Sequence, residues 1–176
     1  MHRTTSAYIL TAGYIKGNTM SADFQILSLA GKLFSSYFKK STEELQNLGA
    51  YLFLSDESPC YPCRVSLEDA KVGERVLALE YTHHAVQSPY RSSGPIFVRE
   101  NANEAKLSRN ELPDMLNHRF LSVRGYSDRG IMIEAETTPG SHLKTALIQQ
   151  FQNKHVEYIH IHNASPGCFN CTAVRA

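Results

Sequence analysis

His160 and His162 stand two residues apart in the run Val156 to His162. Side chains two apart on a β-strand share a face, so a strand here presents both imidazoles side by side. Neutral imidazoles suit zinc and related ions. Cys168 lies just beyond the Pro166-Gly167 turn, which can fold it back towards the strand end, and Cys63 would arrive from a distant loop. Thiolate and imidazole together suit a tetrahedral zinc ion. The candidate metal set is therefore Cys63, His160, His162 and Cys168, with Cys60 and Cys171 as extra ligands and zinc as the cofactor. The competing reading leaves the histidines hydrogen-bonded on a face they share with Val156 and Tyr158, and makes each cysteine a small buried hydrophobe.

Cys60-Tyr61-Pro62-Cys63 and Cys168-Phe169-Asn170-Cys171 are two Cys-x-x-Cys pairs. They lie roughly a hundred residues apart, whereas zinc ribbons usually bring their pairs from about 15 to 20 residues apart. A redox dithiol expects its cysteine at a helix N-terminus, and neither pair clearly precedes a helix. A second candidate site is the segment Ser88 to Pro95, where Arg91 offers a planar donor fork and Ser92 and Ser93 add hydroxyls before a strand that ends at Arg99. Arg91, Ser92, Ser93, Arg99 and Asn163 are the ligand-binding candidates, and a small anionic molecule is the partner they would take. The alternative is a turn held by its serine hydroxyls with Arg91 in a surface ion pair. His83 and His84 read as exposed loop histidines, each available as an extra ligand. Glu134 and Glu136 alternate with Ile133 and Ala135, as on the solvated side of a hairpin strand. No Gly-x-Ser-x-Gly, Gly-x-Gly-x-x-Gly or His-Glu-x-x-His occurs, which argues against elbow-type hydrolases, nucleotide-binding folds and metalloproteases.

These residues must be positioned by one core. The chain has 176 residues, 42% hydrophobic and 20% charged, which suits a single globular domain. Lys and Arg number 18 against 17 acidic residues, so no net field concentrates nucleic acid or an anionic membrane. No apolar run has the length to span a bilayer. The opening stretch is broken by Thr11, Gly13 and Lys16 before a signal-type apolar segment forms. Residues 1–19 are expected to be a flexible extension, with Met20 as an alternative start, and 20–176 the domain. Without export, a cytoplasmic location keeps the cysteines reduced.

Strands are expected over Phe24 to Leu29, Ala50 to Leu54, Arg75 to Tyr81, Ile96 to Arg99, Phe120 to Tyr126, Ile131 to Thr137 and Val156 to His162. Leu33, Phe34, Tyr37 and Phe38 recur at helical spacing, and Ser41 with Glu44 makes a capping box for a short helix. Ser66 to Asp69 resembles a helix start stopped at Gly73, Leu112 to Arg119 a short helix, and Ser141 the cap of a helix bearing Leu143, Ala146, Leu147 and Phe151. Thr82 to Pro95 reads as a polar loop, and Asn163 to Ala176 as a turn with an extended tail. The fold class is α+β, a mixed or mainly antiparallel sheet with a few short helices on one side.

Tyr61-Pro62-Cys63-Arg64-Val65-Ser66-Leu67, Ser88 to Arg99 and His162 to Phe169 resemble, in order, three motifs of an uncharacterised bacterial family catalogued as domain of unknown function 1203. The likeness runs from about Phe24 to the C-terminus. It implies a single-domain protein with no established activity, substrate or cofactor. Cys63 and Cys168 fall on family positions, whereas Cys60 and Cys171 are peculiar to this chain. Two functional classes follow. The first is a non-catalytic binding or regulatory module in which a Cys/His cluster pins the C-terminal segment to the sheet. The alternative is a small metal- or thiol-dependent enzyme whose Arg91 and Arg99 orient an anionic substrate.

Overall fold

Alternating apolar residues and tight turns produce two antiparallel sheets, and the computed structural model describes residues 22–176. Strands β1 (Phe24–Leu27), β5 (Phe120–Tyr126), β6 (Met132–Pro139), β7 (Tyr158–Asn163) and β8 (Phe169–Arg175) form a five-stranded sheet in the order β1-β8-β7-β5-β6. Strands β2 (Tyr51–Leu54), β3 (Arg75–His84) and β4 (Ser92–Arg99) form the second, in the order β2-β3-β4. The α+β, mainly antiparallel architecture in one domain matches the sequence expectation. The proposed extension at residues 1–19 lies outside the described residues. Among the described residues no helix is long and apolar enough to cross a membrane.

Helix α2 (Leu143–Gln152) buries Leu143, Ala146, Leu147, Gln150 and Phe151. Their spacing places them on one stripe, which packs on Val123, Ile159, Ile161 and Ala173 of the larger sheet. Burying a large aliphatic or aromatic side chain of this kind contributes about 1.5–3 kcal/mol. Among the described residues the opposite face of that sheet carries no helix and presents the polar side chains considered below. A second cluster, with Phe34, Leu45, Cys63, Leu77 and Ile96, packs around the smaller sheet. Short helix α1 (Thr42–Asn47) carries the expected capping box: Glu44 N–H donates to Ser41 Oγ at 3.2 Å, and Ser41 N–H to Glu44 Oε2 at 2.7 Å.

Several local expectations are corrected. Residues 33–38 form two separate 3-10 turns, Gly31–Leu33 and Tyr37–Lys39, in place of one helix. Ser66 to Asp69 starts no helix, because Leu67 adopts φ 53° and its N–H closes a turn on Cys63 O at 3.0 Å. Between Leu112 and Arg119 only Asp114–Leu116 is helical. Ser141 does not cap α2; it sits inside the 3-10 turn Gly140–His142, and His142 holds the cap position. Thr82 to Pro95 is shorter as a loop than expected, since β3 runs on to His84 and β4 starts at Ser92. The C-terminal tail becomes β8, held between β1 and β7.

Candidate functional site on the open face of the larger sheet

The three motif segments meet at Cys63 and Arg64. Cys63 bridges Phe97, its Sγ accepts Arg99 N–H at 3.3 Å and Ser66 N–H at 3.5 Å, and Arg64 N–H donates to Phe97 O at 3.0 Å. The Arg64 side chain, 0% exposed, donates through Nε to Phe169 O at 2.7 Å and through Nη1 to Pro62 O, and its guanidinium lies 5.7 Å from the Phe97 ring centroid. It has no carboxylate partner, and its buried Nη2 has no hydrogen-bond partner among the described residues. Burial lowers its pKa to about 10, while the neighbouring sulfurs of Cys168, Cys63 and Cys171 act in the opposite direction.

The expected metal set is not gathered into one ligand sphere. His160 and His162 do share a face, with ring centroids 6.0 Å apart. Cys171 pairs with Ile161 and is buried in the cluster on the α2 side, so its side chain leaves the sheet on the face away from both histidines. Cys63 is buried in the smaller sheet's cluster, and half-exposed Cys168 sits in the turn after β7. All four cysteines are free thiols; burial pushes Cys171 up to about 12 and also raises Cys60. Among the described residues no group of three or more His, Cys, Asp or Glu is arranged to hold a metal ion.

The expected anion set is likewise dispersed. Arg99 donates to Glu74 at 2.6 and 2.7 Å and to Glu68 at 2.5 Å, so its fork is already occupied by carboxylates. Ser93 Oγ donates to Glu80 at 2.5 Å, Asn163 Oδ1 accepts from Asn170 at 2.9 Å, and Arg91 is exposed. Ser92 Oγ alone reaches the histidines, 3.0 Å from His83 Nε2.

What the strands do bring together is a histidine and arginine face. In the register of β5 and β7, Arg124 lies opposite His160 and Ser122 opposite His162. On the other side of β7, Thr172 pairs with His160 and Phe169 with His162. His83 and His84, expected to be exposed, close over this face from the end of β3. His84 is 2% exposed and its ring lies 5.0 Å from that of His160, while His83 stacks on Phe169 at 5.1 Å. A carbonyl only accepts, so the 2.7 Å contact of His84 Nδ1 with Tyr90 O places the proton on Nδ1, and Nε2 accepts the Tyr158 hydroxyl at 2.8 Å.

His160 and His162 are 4% and 1% exposed, and His160 Nδ1 and His162 Nε2 are buried without hydrogen-bond partners among the described residues. Arg124 Nε donates to Ser122 Oγ at 3.0 Å, and Arg124 forms no ion pair among the described residues. Burial lowers His160 to about 2 and His162 to about 3, so both rings are neutral at neutral pH, and burial lowers His83 as well. The positive charge of Arg124 acts on all three, and Arg64 also acts on His162. Ser122, Arg124 and Thr172 are half-exposed, so the face opens to solvent beside the buried rings. A cavity of about 740 Å³ lies elsewhere, between the segments around Glu68 and Lys106. Arg124 was not among the residues singled out from sequence. Its only signal is its place in Ser122, Arg124 and Tyr126, the polar half of an alternating strand.

No curated protein and no solved structure matches this chain. A family match covers residues 60–175, a span that includes all three motif segments and every residue of the face just described. The chain belongs to the family described as protein of unknown function (DUF1203).

Proposed function

We propose that this protein is a non-catalytic binding module that holds a small anion on the sheet face carrying Arg124, His160 and His162. The supporting observation is charge without a counter-charge: the Arg124 guanidinium has no carboxylate partner among the described residues, and it stands in register beside buried imidazoles that lack partners. A half-exposed guanidinium with donors to spare is a planar fork for an oxyanion. The Ser122 and Thr172 hydroxyls on the same face supply further donors. A ligand that binds only the folded chain raises its stability, by about 2.7 kcal/mol at a hundred times its dissociation constant. The melting temperature should therefore climb with phosphate concentration, and Arg124→Ala should abolish the climb while Arg91→Ala leaves it intact. A phosphate response that survives Arg124→Ala but disappears in Arg91→Ala would move the site to the loop before β4.

A thiol-dependent enzyme is the second reading, favoured by the Arg64 environment. Reactive cysteines occupy electropositive, partly exposed places, and half-exposed Cys168 directly precedes Phe169, whose carbonyl accepts from the buried Arg64 guanidinium, one nitrogen of which has no partner among the described residues. This reading expects iodoacetamide to modify Cys168 faster than Cys60, and equal rates would count against it.

A further inference from the structure

The hydrogen bond that His162 makes to the turn after β7 decides what kind of anion the face can take. His162 Nδ1 lies 2.9 Å from Gly167 O. Because a carbonyl oxygen only accepts, Nδ1 carries the proton, and Nε2 of the neutral ring is a lone-pair acceptor. That Nε2 is buried and unpartnered among the described residues, and the ring is 1% exposed. Its cross-strand neighbour Ser122 already accepts from Arg124 Nε at 3.0 Å, which keeps the Arg124 side chain on the same part of the face. Two unlike demands therefore stand side by side. The guanidinium offers donors to an anion, and the buried imidazole asks for a donor.

A fully deprotonated oxyanion answers the first demand and worsens the second, because its oxygen lone pairs would face the lone pair of Nε2. An oxyanion that keeps an O–H answers both. We infer that the ligand is a hydrogen phosphate group, free or as a monoester, whose bare oxygens accept from Arg124 and whose O–H donates to His162 Nε2. Sulfate has similar size and shape but carries no proton at neutral pH, so the site discriminates against it. Burial holds the ring neutral, consistent with Nε2 acting as acceptor rather than donor. The inference rests on the reading of the Arg124 face as an anion site, and the test separates the two.

The test is calorimetric titration of the whole chain with inorganic phosphate, methyl phosphate and sulfate at matched ionic strength and about pH 6, where a monoester retains much of its proton. Leaving a buried acceptor unsatisfied corresponds to a loss of about tenfold or more in affinity, so phosphate should bind at least that much more tightly than sulfate. Binding of methyl phosphate as well as phosphate assigns the group to a monoester. Binding of phosphate alone assigns it to the free ion, and both outcomes uphold the inference. His162→Phe, with folding checked by circular dichroism, should bring the phosphate-to-sulfate ratio close to one, whereas His162→Gln, which restores a carbonyl acceptor, should retain a preference. Equal affinity for sulfate in the wild-type chain overturns the inference and leaves the anion site standing. Full preference retained in His162→Phe also overturns it. No binding of any of the three overturns both.

Discussion

At the scale of single residues, the open face is held by imidazoles with assigned roles. Tyr158 donates its hydroxyl to His84 Nε2 at 2.8 Å. Tyr158→Phe leaves that acceptor buried and empty, so it should cost about 1–3 kcal/mol, read from the urea midpoint. The histidines also set a pH dependence. His160 is held down to about 2 and His162 to about 3, first by burial and then by neighbouring positive charge, whereas the unfolded chain titrates its histidines near about 6.5. The unfolded state binds more protons than the folded state between those values. Stability should be fully present above about pH 6.5 and fall as the pH drops towards the folded values, by up to about 1.4 kcal/mol per pH unit for each histidine. Unfolding free energies that stay flat across that acid range would contradict the burial of neutral rings.

Elements decide which residues share a face, and here the sequence was legible unevenly. The shared face of His160 and His162 followed from strand period, the capping box of α1 from the three-residue spacing of Ser41 and Glu44, and the apolar stripe of α2 from helical period. Arg124 was hidden because its importance depends on register: only the pairing of β5 with β7 sets it opposite His160. Strand β8 was hidden by its irregularity between Ile161 and His162, which breaks the two-residue alternation at Asn170. His83 and His84 read as loop residues because Thr82 to Pro95 is polar and carries two prolines, yet the strand persists to His84 and Pro95 itself lies in β4. One close approach is specific to an element junction. At Gly140, between β6 and α2, an added Cβ would overlap the Leu116 carbonyl, which is backbone and cannot move aside. Gly140→Ala should therefore destabilise by about 1–3 kcal/mol or more, measured by thermal unfolding.

On the scale of the whole molecule, the three motif segments converge although they are far apart in sequence, and Arg64 links them. Its Nε–H bond to Phe169 O ties the loop before Ser66 to the start of β8, and its backbone N–H ties the same loop to β4. Among the described residues this leaves a face of the larger sheet without a helix, lined by histidines and positively charged at Arg124. The most direct test of that face is nitrogen-15 nuclear magnetic resonance of the histidine imidazoles and arginine Nε groups during phosphate addition. The resonances of Arg124, His160 and His162 should shift together and saturate, while that of Arg99, already paired with Glu68 and Glu74, stays still. Shifts confined to Arg91 or Arg99, with the two imidazoles unmoved, would contradict the assignment of the anion site to the open sheet face.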